Sequence, residues 1–177
     1  MKKLSLSNLN RLSPEEALRQ ARTPIALILD NVRSGLNVGS AFRTADAFAL
    51  SHLYLCGISA QPPHREILKT ALGATESVPW SYHESSSQLV MQLQSEGYEV
   101  WAVEQAIGSV GLHEFEARGE KPLALVFGNE VNGVDEEVMK QVDGAIEIPQ
   151  LGAKHSLNIS VCVGIVAWEL FRQKNWI

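Results

Sequence analysis

Three stretches of this chain gather side chains that could do chemistry. Residues 31–43 (NVRSGLNVGSAFR) carry Asn37, Gly39 and Arg43 around an expected helix opening. A helix start beside arginines suits a phosphate, because free backbone N–H groups and a fixed cation both face the anion. The same residues would also serve as an Asn cap, a packing glycine and a solvent-facing Arg. Arg43 is six residues beyond Asn37, under two helical turns, so it could project near the same end.

Residues 127–134 (FGNEVNGV) pass from a strand into a loop with two glycines. Glycines let the backbone approach a flat ligand closely. There is no Gly-Lys-Ser/Thr and no GxGxxG, so this is neither a P-loop nor a dinucleotide fingerprint. A plain strand-to-helix turn would read the same way. Residues 148–160 (IPQLGAKHSLNIS) form a loop with Pro149 and Gly152. Ser156, Asn158 and Ser160 then stand at the start of an apolar helix, where one cap would suffice. The five histidines have no metal-ligand spacing and there is no HExxH, so no metal is expected. Without GxSxG, the neighbours His155 and Ser156 do not make a hydrolase.

Each stretch follows an expected strand. Residues 24–30 are an almost continuous apolar run, as in a strand buried on both faces. Further strands are expected at 52–56, 78–82, 98–104, 123–127 and 145–148. Helices are expected from Ser13-Pro14 to about Arg22, then at 37–50, 64–71, 86–95, 135–141 and 156–172. In the last of these, Leu157, Val161, Gly164, Ile165, Trp168 and Phe171 fall near helical spacing. This alternation predicts an α/β domain with a mostly parallel sheet and flanking helices, with any ligand at the C-terminal strand ends. A short basic arm and helix (1–22) would precede the main domain (23–177).

At 177 residues the chain is the size of one domain, and 45% apolar with 20% charged residues is ordinary for a globular protein. No apolar run reaches membrane-spanning length, and the N-terminus lacks the apolar core of a secretory signal. Cys56 and Cys162 form no CxxC and are expected as small core residues in a reducing cytoplasm. Net charge is −5, yet residues 1–43 hold seven basic side chains against three acids. An anionic partner could bind that end.

The order and spacing of the three motifs together resemble the SpoU (TrmH) family of RNA ribose 2′-O-methyltransferases, of the SPOUT class. The signature is N-x-G-x-x-x-R, then GNExxG, then IPQ-x-G-x-x-x-SLNIS, and the resemblance runs from about Pro24 to Phe171. It implies a C-terminal trefoil knot, S-adenosylmethionine as cofactor, and a homodimer packed through helices at both ends of the domain. It carries Phe127, Gly128, Asn129, Gly133, Ile148, Gln150 and Leu157 to cofactor binding, with Val103 and Glu104 lining the same pocket. Asn37, Arg43, Glu130, Ser156 and Asn158 are carried to catalysis or substrate holding. The family often has Met where Gln150 stands, and Lys154-His155 before the serine is unusual and could add phosphate affinity. Transfer RNA is the expected substrate ahead of ribosomal RNA. A guanine-N1 base methyltransferase of the same class, or a non-catalytic RNA-binding protein retaining the fold, are the alternatives.

Overall fold

The sheet is parallel throughout. In chain order its strands are β1 (Thr23–Asp30), β2 (Leu50–Cys56), β3 (Trp80–His83), β4 (Glu99–Val103), β5 (Val110–Gly111), β6 (Leu123–Phe127) and β7 (Gly144–Glu147). They lie side by side as β3-β2-β1-β6-β4-β7-β5. These observations come from a computed structural model that describes residues 1, 3–4, 12–117, 119–153 and 156–176.

Central strands are buried on both faces, which is why they read as apolar runs without alternation. All five residues of β6 are buried. One face carries Ile25, Leu27, Leu29, Leu125 and Phe127. It packs on α2 (Gly35–Ala47), α3 (Arg65–Ala71) and α7 (Ile159–Trp176) through Phe42, Ile67, Val163 and Leu170. The opposite face carries Ala26, Ile28, Ala124 and Val126. It packs on α5 (Ser86–Ser95) and α6 (Glu136–Met139) through Leu89, Leu93 and Val138. Two short helices, α1 (Pro14–Arg19) and α4 (Ala74–Ser77), complete the set described.

Several boundaries differ from expectation for local reasons. The capping box of Ser13 and Glu16 forms as expected, but α1 stops at Arg19, because Gln20 already turns to an extended conformation. Helix α2 opens at Gly35, capped by Ser34, whose hydroxyl accepts from the Asn37 N–H at 3.3 Å. Asn37 is therefore inside the helix, and its side chain is released from capping. Helix α7 begins at Ile159, three residues later than expected. Its cap is Asn158, not Ser156: the Asn158 side-chain oxygen accepts from the Ser160 N–H at 2.9 Å. Helix α4 and the two-residue strand β5 were not foreseen, being too short for any periodicity.

The apolar stripe at Val161, Ile165 and Trp168 turns out to be the exposed one, with Trp168 at 42% exposure. A different stripe, at Val163, Val166, Ala167 and Leu170, enters the core. Periodicity finds both faces of an all-apolar helix and cannot rank them. Arg22 also departs from the basic-arm reading. Its guanidinium donates to the carbonyls of Ala17, Ser77 and Leu50 at 2.7–3.0 Å, so it staples α1 to the sheet instead of meeting a partner. Lys2 and Arg11 of that arm lie outside the described residues.

On the β2–β3 edge, the Nε2 atoms of His52 and His83 both meet the Ser81 hydroxyl, at 3.0 and 3.1 Å. Burial, then the neighbouring His83 and Arg22, pull His52 down to about 4. An unfolded chain would protonate this ring near 6.5, while the folded one refuses the proton until about 4. Stability should thus be full above pH 6.5 and fall as pH drops from 6.5 toward 4. Discounted for the ring's partial exposure, the loss is about 1–2 kcal/mol. Urea midpoints between pH 7.5 and 4.5 should shift less in His52→Gln than in the parent. Equal shifts would assign the cost elsewhere.

Candidate active site

The C-terminal ends of β4, β6 and β7 open onto one cavity of about 680 Å³. Strand ends of a parallel sheet leave such a crevice because the following loops diverge to opposite faces. The second motif shapes its centre. After Phe127 the backbone turns so tightly that Asn129 and Gly133 pair through two backbone hydrogen bonds of 2.9 Å. Gly133 holds a φ of 70°, which favours glycine.

Two carboxylates lock this loop. Asp30, fully buried at the end of β1, accepts from the Asp135 N–H at 2.9 Å and from the Asn31 amide at 2.8 Å. Glu104, at the end of β4, accepts from the Val134 N–H at 3.1 Å and from the Gln105 N–H at 3.0 Å. The Asn129 side chain completes the tie. It donates to the Asn31 carbonyl at 2.8 Å and accepts from the N–H groups of Val131 and Asn132.

All nine residues assigned from the sequence to cofactor binding line this one cavity. Val103 and Glu104 come from the end of β4. Phe127, Gly128, Asn129 and Gly133 come from the second motif, and Ile148, Gln150 and Leu157 from the third. Eight lining residues were not assigned from the sequence, among them Glu147, Ile146 and Cys162. Glu147 could have been found as the polar residue ending β7. Cys162 sits one turn into α7, and burial followed by Glu104 pushes its thiol up to about 11. It is half-buried against the cavity, not a plain core residue like Cys56.

Three of the five residues assigned to catalysis join in a row. The Asn37 amide donates to Glu130 Oε1 at 2.8 Å, and its oxygen accepts from the Asn158 amide at 3.3 Å. The three come from positions 37, 130 and 158, so only the fold unites them. Ser156 lines the cavity beside Asn158. Arg43 stands apart. It is exposed, about 9 Å farther along α2 than Asn37 and on another face of the helix. Among the described residues it makes no hydrogen bond to Asn37, Glu130, Ser156 or Asn158. Lys154 and His155 lie outside the described residues.

What the arrangement can hold follows from its walls. Val103, Phe127, Ile146 and Leu157 supply apolar surface, while loop backbone and carboxylates supply acceptors. The described lining has no Lys, Arg or His. These described walls suit a nucleoside-like, cationic ligand.

Comparison with known proteins agrees with this geometry. A model of the SpoU rRNA Methylase family matches residues 24–168. The chain is 32% identical over 166 residues to the 23S rRNA (guanosine-2′-O-)-methyltransferase RlmB of Vibrio parahaemolyticus, covering 94% of this chain and 66% of that protein. It is 30% identical over 160 residues to the tRNA (guanosine(18)-2′-O)-methyltransferase of Thermus thermophilus, covering 90% and 80%. The solved structure of an AdoMet-bound rRNA methyltransferase from Sinorhizobium meliloti superposes with a TM-score of 0.80 at 29% identity, over 92% of this chain and 61% of that one. The chain thus spans just under two thirds of the length of the rRNA-modifying relatives it matches. No helix among the described residues is long and apolar enough to cross a membrane.

Proposed function

This chain belongs to the SpoU methylase family, and from that premise we propose that it transfers a methyl group from S-adenosylmethionine to a ribose 2′-OH of RNA. The observation that carries the reading is the strand-end cavity, with the Asn37–Glu130–Asn158 row beside it. Val103, Phe127, Gly128, Asn129, Gly133, Ile148, Gln150 and Leu157 would hold the cofactor, with Glu104 fixing the loop around it. When bound, the cofactor supplies a methyl group activated by a sulfonium.

The chain's own residues would supply position and charge. Asn37 has both ends of its amide engaged, so its orientation is fixed. Asn158 and Ser156 then face the ribose from the head of α7, and Glu130 holds Asn37 in place. Arg43 lies outside the cavity, where an RNA backbone would run. Its guanidinium stays protonated, so it acts as a charge clamp on phosphate and developing alkoxide, not as a base.

Transfer RNA is the proposed substrate. The Thermus tRNA enzyme supports it, being covered over 80% of its length against 66% for the Vibrio rRNA enzyme. The family expectation of a trefoil knot is part of the proposal. It is supported by the strand order, with β6 between β1 and β4, and by Gln173 and Lys174 of α7, which grip the carbonyls of Phe115, Gly119 and Lys121. Residues 1–22 are proposed as an arm whose basic side chains other than Arg22 add charge to the RNA-binding surface.

A homodimer is proposed as the working form. Its support is an apolar groove of Leu112, Ile148, Pro149, Val161, Ile165 and Trp168 along the exposed face of α7. Trp168→Glu should convert the dimer to monomer in sedimentation while leaving the fold's circular dichroism intact. An unchanged dimer would place the contact elsewhere.

The function is tested by labelled methyl transfer into separate pools of unmodified transfer and ribosomal RNA, followed by digestion and mass analysis. A 2′-O-methyl nucleoside in transfer RNA is the expected product. Label in ribosomal RNA alone would change the substrate class. Label on a base would favour the guanine-N1 type.

A further inference from the structure

The cavity holds three carboxylates, Glu104, Glu130 and Glu147, and no cation among its described lining residues. Each accepts at least one hydrogen bond. Glu104 accepts from two backbone N–H groups, Glu130 from the Asn37 amide, and Glu147 from the Ser109 hydroxyl at 2.9 Å. Neither hydrogen bond to Glu104 nor that to Glu147 comes from a charged donor. Among the described residues no cation stands beside them in the cavity wall.

Resting on the cofactor reading above, we infer that Glu104 and Glu147 make this site select by charge, holding the methyl donor and releasing the spent product. S-adenosylmethionine carries one net positive charge, from its sulfonium and ammonium against one carboxylate. Methyl transfer to a ribose hydroxyl forms a C–O bond, breaks the S–CH₃ bond and releases the hydroxyl proton. The sulfur keeps the bonding pair, and S-adenosylhomocysteine is left with no net charge. Shape changes by one methyl, but the Coulomb attraction to the carboxylates falls sharply in a partly enclosed site. The residues that help draw the donor in thus cease to hold the product once the reaction is over.

Calorimetric titration of the whole chain tests this with three ligands. They are S-adenosylmethionine, S-adenosylhomocysteine and sinefungin, in which an amine-bearing carbon replaces the methylated sulfur and keeps the positive charge. The parent should bind both cationic ligands about tenfold more tightly than the neutral one, and added salt should narrow that gap. In Glu147→Gln the gap should shrink to about threefold, with the neutral ligand within about twofold of its parent affinity. Glutamine keeps an oxygen for Ser109, so the wall retains its shape. Glu104→Gln should act in the same direction, and if its loop is lost then Glu147→Gln decides alone. The inference is overturned if the neutral product binds the parent as tightly as the cations do. It is equally overturned if Glu147→Gln weakens all three ligands alike, which is the mark of a purely structural role. Binding of none of the three would overturn the cofactor reading itself. Binding of all three without the charge ranking would overturn only this inference.

Discussion

Arg43→Ala should lower methyl transfer to RNA by about two to three orders of magnitude and leave S-adenosylmethionine binding within about twofold of the parent. The split follows from where the side chain sits. Arg43 is absent from the cavity wall and exposed on α2. Removing it takes nothing from the cofactor's surroundings and opens no hole in the core. What it removes is an exposed cation on α2, outside the cavity, which we propose meets the RNA phosphate and the developing alkoxide. RNA affinity should weaken too, with a shallower dependence on salt as one phosphate contact is lost. Single-turnover methyl transfer, with cofactor titration in parallel, separates the two effects. A collapse of cofactor binding would mean that Arg43 supports the pocket, and the proposed division of roles would be wrong.

Gly128→Ala should do the reverse, abolishing cofactor binding through the protein's own backbone. A Cβ at this position would stand 2.0 Å from the Gly133 carbonyl carbon and 2.1 Å from the Val134 nitrogen. Both are main-chain atoms, so no side-chain rotation relieves the clash. The Asn129–Gly133 pairing would have to open, and Val134 would leave Glu104. We expect cofactor affinity to fall at least about a hundredfold, with a stability loss of about 1–3 kcal/mol from the forced shift. Gly152→Ala is the control, since its Cβ would meet nothing within 4 Å. If Gly128→Ala bound the cofactor as the parent does, the tight loop would not be what shapes the pocket.

Much of this site was legible before any fold was known. The apolar runs at 24–30 and 123–127 mark buried parallel strands, and such strands put ligands at their C-terminal ends. That logic, with the three motifs, picks out nine residues that do line a single cavity. Other parts were less legible. Glu147 ends the short strand β7, and that strand-end position is the one signal that separates it from a surface glutamate. Asp30 reads as the polar end of a strand, yet it is buried and ties the second motif's loop through Asp135. Arg22 reads as basic-arm charge, yet three backbone carbonyls from different elements claim it.

The sequence by itself determined the parallel α/β class, the motif-bearing loops and their family, because periodicity and local spacing are properties of neighbours along the chain. Only the tertiary structure decided which face of α7 is core and which is open. It alone took Asn37 out of its capping role and set it between Glu130 and Asn158. It also left Arg43 outside while turning three carboxylates toward one cavity. Those outcomes depend on contacts between residues as many as 121 positions apart. Such contacts are chosen by packing and hydrogen-bond satisfaction across the whole domain, which no local pattern encodes.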